Sequence, residues 1–147
     1  WPNVQIKTTV IPIDDWHLRI HDITNERALT AIEGGFSIPV HSTDTIRKME
    51  NGICYQSRIG QATLINISGY QDAQIHYPEP NTNIYFSRSA YPMMEVRLEE
   101  GKHQLVTLVG GSVHCENAEL PKVAIKNNIF TIEYNGKIKI VDVGDNS

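Results

Sequence analysis

Trp16-His17-Leu18-Arg19-Ile20-His21-Asp22-Ile23 alternates strictly as far as His21: Trp16, Leu18 and Ile20 fall on one side of an extended chain, His17, Arg19 and His21 on the other. A period of two is the mark of a half-buried β-strand and not of a helix. The strand reading also limits what the histidines can do. At about 3.3 Å per residue, His17 and His21 stand about 13 Å apart along the face. Metal–nitrogen bonds are about 2.1 Å long, so the pair cannot share one ion and no metal site is expected. A zinc site would need a ligand brought from His41, His76, His103 or His114. The plain reading of the row is a polar sheet face covered by water or by another domain.

Outward from this strand the period of two recurs along the chain, while no window of a dozen residues keeps an apolar stripe at helical spacing. Strands are predicted at Val4 to Ile11 and Trp16 to Ile23, turning at Pro12-Ile13-Asp14-Asp15, then at Ala28 to Ile32 and Gly35 to Val40. Gly52 to Arg58, Gln61 to Ser68 and Ala73 to His76 continue the series, and Tyr77-Pro78-Glu79-Pro80-Asn81 reads as a loop. Thr43 to Met49, capped by Ser42 or Thr43, is the one place for a short helix. Pro92 to Leu98 and His103 to Val109 read as a hairpin through Glu99-Glu100-Gly101-Lys102, long and apolar enough to sit near a sheet centre.

The last third permits a reading of register. A two-residue Asn127-Asn128 loop sets Ile125 opposite Phe130 and Val123 opposite Ile132. At Tyr134-Asn135-Gly136, a three-residue loop pairs Ile132 with Ile138, Phe130 with Ile140 and Glu133 with Lys137. The alternative two-residue loop would pair Ile132 with Lys139, so clean separation of faces favours the longer one. Val123, Ile125, Phe130, Ile132, Ile138 and Ile140 would then share one apolar face. A one-faced sheet must bury itself on another layer, and with no helix pattern available that layer is a second antiparallel sheet. The expected fold is an all-β antiparallel β-sandwich with at most one short helix, a single domain over residues 1–147.

Composition narrows the partners. The 147 residues carry a formal charge of -4, and the 13 basic residues are dispersed along the chain, with only Arg47 and Lys48 adjacent. That offers no basic stripe for nucleic acid. No apolar run approaches the roughly 20 residues of a membrane helix. The chain opens at Trp1 without a charged and apolar leader, which reads as a processed chain or an excised piece of something longer. No compartment is identified. Cys54 and Cys115 lack CxxC spacing; a disulfide between them would close a long loop, and two buried free thiols are the plainer reading. A Cys115 nucleophile activated by His114 is disfavoured, because neighbours in a strand point to opposite faces.

Two stretches resemble a known family. Asp15-Trp16-His17-Leu18-Arg19-Ile20-His21, with Arg27-Ala28-Leu29 and Glu33-Gly34-Gly35-Phe36, is one. Pro80-Asn81-Thr82-Asn83-Ile84, with Arg88, Pro92 and Arg97-Leu98-Glu99-Glu100-Gly101-Lys102-His103, is the other. Together they are similar to the C-terminal β-rich region of a bacterial domain-of-unknown-function family whose members begin with an α/α-toroid of the six-hairpin glycosidase type. The resemblance implies a role in carbohydrate processing, as part of a glycoside hydrolase or polysaccharide lyase. It implies a toroid domain of the same parent protein as partner and an oligosaccharide as the molecule handled; no cofactor is expected.

Three classes of function follow. In the favoured one the chain is an accessory sandwich, lending His17, Arg19, His21, Glu33, Asn81, Asn83 or Arg88 to the rim of a toroid cleft. A free-standing sugar-binding module would instead stack sugars on Tyr77, Tyr85, Phe86 and Tyr91, and a purely structural domain would bind nothing. Glycoside cleavage needs two carboxylates about 5 to 9 Å apart; Glu33, Asp72 and Glu79 qualify only by loop position. Lyase chemistry needs a base near a uronate and a cation for its carboxylate, roles for which His17, His21 and Arg19 are chemically suited.

Overall fold

The computed structural model describes residues 3–34, 38–40, 45–49, 51–56, 61–69, 75–76, 88–110 and 120–144. Among these the chain is all strand and turn, antiparallel and sandwich-like, with no helix. Thr45–Met49, the expected helix position, is a strand paired with Gly52–Gln56, its backbone hydrogen bonds supplied by a neighbour in sequence. The chain divides into two compact units, Trp1–Cys115 and Glu116–Ser147.

In the first unit, β1 (Val4–Ile13), β2 (Trp16–Asn25), β5 (Thr45–Met49), β6 (Gly52–Gln56), β7 (Gln61–Ser68) and β10 (Gly101–Gly110) form one sheet in the order β1-β2-β10-β7-β6-β5. A smaller sheet runs β3-β9-β4, from β3 (Leu29–Gly34), β9 (Arg88–Leu98) and β4 (Ile38–Val40), with β8 (Ile75–His76) also paired to β9. Leu98, Val96, Leu29 and Ala31 of the small sheet pack against Ile23, Ile53, Leu64, Leu105 and Val109 of the large one. That apolar seam is the sandwich core.

The β1–β2 hairpin turns on two residues, with Asp14 in the left-handed region (φ 49°) and Ile13 opposite Trp16. Trp16, Leu18 and Ile20 are buried, and His17, Arg19 and His21 are half-buried on the opposite face, as the alternation predicts. Beyond His21 the burden of burial changes sides: Ile23 and Asn25, on the histidine face, are buried. The strand therefore contributes apolar groups to both faces. Its neighbour β10 goes further, being buried at every position from Leu105 to Gly110, the pattern of a central strand covered on both sides. Gly110 lies opposite Trp16, and a Cβ there would meet the indole at 2.5 Å. The ring occupies the space that a side chain would take.

β9 and β10 do not form a hairpin. β9 pairs with β3, β4 and β8, whereas β10 pairs with β2 and β7, so the chain changes sheet at Glu99-Glu100. Gly101, at φ 132°, supplies a backbone angle that L-residues rarely adopt. The Asn25 amide donates to the Glu99 carbonyl at 2.9 Å and to the Arg27 carbonyl at 2.7 Å. Arg27 lies in another sheet change, from β2 to β3, so one buried side chain fastens two of the crossings. The His103 ring donates from Nε2 to the same Glu99 carbonyl at 2.6 Å.

Cys54 is disulfide-bonded rather than free, and Cys115 is the only other cysteine in the sequence. A bond across so long a stretch leaves no spacing signal. Strand pairing is what decides where Cys54 lies.

The second unit is a three-stranded meander of β11 (Lys122–Lys126), β12 (Ile129–Tyr134) and β13 (Lys137–Asp142). Its first turn follows expectation, with Ile125 opposite Phe130 and Val123 opposite Ile132. Asn127 and Asn128 have φ 49° and 64°, the mirror-image turn whose twist suits a hairpin. The second turn overturns the three-residue reading: Ile132 faces Lys139 and Glu133 faces Ile138 around a two-residue Asn135-Gly136 loop. Both loop residues sit at positive φ, 51° and 74°, so local turn geometry prevailed over separation of faces. As a result Phe130 and Ile132 are buried, while Ile138 and Ile140 are on the other face and 66% and 68% exposed.

Candidate functional site

The pleat of β2 holds His17, Arg19 and His21 in one row, and the register with β1 and β10 supplies their neighbours. Thr8 lies opposite His21, and its hydroxyl shares a 2.9 Å hydrogen bond with His21 Nδ1. Arg19 donates from Nε to His17 Nε2 at 3.0 Å. In that bond His17 Nε2 acts as acceptor, so the ring is neutral with its proton on Nδ1. The guanidinium and imidazole thus brace each other two residues apart on the same side of the strand.

A polar line also crosses the sheet, a feature that reading one strand at a time does not reveal. Arg19, Thr107 and Asn66 are successive cross-strand neighbours from β2 to β7 on the histidine face. The β10–β7 register shifts between Val106 and Thr107, a bulge at the Asn66 end of the line. Thr107 is fully buried, and its hydroxyl has no hydrogen-bond partner among the described residues. Its sequence signal was only a threonine among apolar residues, indistinguishable from ordinary strand composition. Asn66, like His17, Arg19 and His21, has further interactions within the fold.

Toward Ile23 the same face becomes the apolar seam. The polar row therefore borders the sandwich core, with Leu105 and Val109 beside His21 and His17 on β10. The arrangement offers a guanidinium, two imidazoles and a threonine hydroxyl within one patch. Such a set suits a carboxylate, a sulfate or sugar hydroxyls. Among the described residues no cluster of three or more histidine, cysteine or acidic side chains could hold a metal ion.

Of the other sequence candidates, Glu33 and Arg88 are described by strand position alone. Glu33 belongs to β3, paired with Met94, and Arg88 belongs to β9, paired with Val40. Asn81 and Asn83 lie outside the described residues, as do Asp72, Tyr77, Glu79, Tyr85 and Phe86. Tyr91 falls within β9, opposite His76. No described helix is long and apolar enough to cross a membrane.

The match to a family model, DUF2264 C-terminal domain, runs over residues 1–135. The chain belongs to the DUF2264 C-terminal domain family. Its fold is similar to that of the heparan sulfate lyase HepC from Pedobacter heparinus, with a TM-score of 0.63 at 14% sequence identity. The likeness covers 100% of this chain and 25% of that one. A mutant of the same lyase gives a TM-score of 0.62 at 16% identity, covering 97% of this chain and 24% of its own. The chain thus spans about a quarter of the length of these structures. No curated protein matches the sequence.

Proposed function

We propose that this DUF2264 C-terminal domain is the accessory β-sandwich of a bacterial carbohydrate-active enzyme, of glycoside hydrolase or polysaccharide lyase type. In this reading it packs beside an α/α-toroid domain of the same polypeptide and lends the His17, Arg19 and His21 row to the rim of the cleft. The observation that carries the proposal is the end-to-end likeness of this chain to one quarter of a heparan sulfate lyase. The cationic and imidazole row, placed on one face by β2, supports it.

The chemistry suits an acidic glycan. A guanidinium binds a carboxylate or sulfate through paired, charge-assisted hydrogen bonds, and an imidazole at neutral pH accepts or donates a proton as its partner demands. On this reading Arg19 orients the acidic group, and His17 and His21 meet neighbouring hydroxyls. Glu33, Asn81, Asn83 and Arg88 are further rim candidates by sequence position. The main catalytic cleft belongs to the toroid, and the isolated chain has no turnover of its own.

The test uses the full-length parent protein and a panel of uronate-containing and neutral polysaccharides. Product is followed by the ultraviolet absorbance of unsaturated uronate and by new reducing ends. Arg19→Ala is expected to lower kcat/KM by about 10- to 100-fold, the worth of one charge-assisted contact. Arg19→Lys should restore part of it, with the far-ultraviolet circular dichroism of both variants unchanged. Full activity in Arg19→Ala would remove the row from the rim. A full-length protein inert on every polysaccharide would defeat the reading as a whole.

A further inference from the structure

The accessory reading leaves open which surface meets the rest of the polypeptide. β1 is an edge strand ten residues long, with no strand beyond it among the described residues. On the histidine face it presents Val4, Ile6, Thr8, Val10 and Pro12, without a single charge. Ile6 is 62% and Val10 55% exposed. Ile6 is the direct cross-strand neighbour of Ile23, which is only 5% exposed. The core therefore takes in β1 only at Val4, which packs against it, and leaves Ile6 and Val10 uncovered. Long apolar edges are ordinarily guarded by charges or bulges, since their free backbone groups invite pairing. On this strand the only charged side chain is Lys7, on the opposite face.

A second apolar surface competes with it: Ile129, Ile138 and Ile140, 42%, 66% and 68% exposed on one face of the β11–β13 sheet. Ile138 and Ile140 lie beyond residue 135, where the family match ends. Ile6 and Val10 lie within it. A contact common to a family of C-terminal domains belongs on the surface that the family shares.

We propose, resting on the accessory-domain reading, that the Ile6–Val10 edge and its bordering His17, Arg19 and His21 row are where the larger remaining part of the parent polypeptide docks. The occupant is that part of the same chain, because this domain accounts for only 25% of the lyase it resembles. An apolar surface fits over Ile6 and Val10, and its margin runs along the polar row. This places the row at the seam between the domains, where a cleft rim would be.

Hydroxyl-radical footprinting of the full-length protein, read residue by residue by mass spectrometry, tests the assignment. Ile6 and Val10 are expected to be modified about tenfold more slowly than Ile138 and Ile140, which serve as exposed internal standards. If Ile6 and Val10 react at the exposed rate while Ile138 and Ile140 are protected, the docking edge is wrong and the accessory reading stands. If all four react at the exposed rate, both are wrong. Ile6→Asp with Val10→Asp, at positions exposed in this domain and so compatible with folding, should speed proteolysis at the domain junction severalfold. Unchanged cleavage would overturn the proposal.

Discussion

Asn25→Asp replaces one atom group and should be among the most damaging substitutions in the domain. Asn25 is 2% exposed and spends both amide protons, on the carbonyls of Arg27 and Glu99. An aspartate of the same shape has no such donors when ionised. Two lost hydrogen bonds cost about 1–3 kcal/mol. At neutral pH a buried carboxylate also faces two carbonyl oxygens, bringing the total to about 3–5 kcal/mol. The dependence on pH has a definite sign. Burial and the carbonyls raise the folded-state pKa of the new acid above its unfolded value of about 3.9. Between those two values the folded state holds more protons than the unfolded state, so stability falls as pH rises. Below about pH 4 the acid is protonated in both states, and only the hydrogen-bond loss remains. Urea unfolding of Asn25→Asp beside the unsubstituted chain, at pH 4 and pH 7, reads both effects. A difference under about 0.5 kcal/mol at pH 7, the size expected of an ordinary surface substitution, would refute the clamp.

Gly110→Ala should cost about 1–3 kcal/mol and shift the Trp16 fluorescence, because the new methyl meets the indole at 2.5 Å; unchanged thermal stability would show that the ring moves freely. Reducing the Cys54 disulfide should lower stability by on the order of 4 kcal/mol, the chain-entropy value for so long a loop. Denaturation with and without a phosphine reductant, with thiols counted by intact mass, measures that loss. The β12–β13 register predicts that Ile138→Lys stays within about 0.5 kcal/mol of the unsubstituted chain, as a surface change does. Ile132→Ala should cost about 2–5 kcal/mol. Equal costs at both positions would point to the three-residue turn instead.

The sequence by itself determined the elements of this domain that rest on local physics. Alternation at Trp16 to His21 decided the strand and its two faces, because side chains on a pleated chain can only point two ways. The Asn127-Asn128 turn was equally legible, since few residues tolerate two successive positive φ angles. At Asn135-Gly136 the same local rule applied, and weighing apolar separation above it gave the wrong register. The tertiary structure alone decided the rest. Whether β10 folds back on β9 or crosses to β2 depends on partners about 80 residues away in sequence, and no local pattern encodes them. The helix-like Thr45–Met49 became a strand because β6 offered an edge. The roles of Asn25, Thr107 and Cys54 exist only once distant strands meet: hydrogen bonds, burial and covalent bonds act across a few ångströms of space, whatever the distance along the chain.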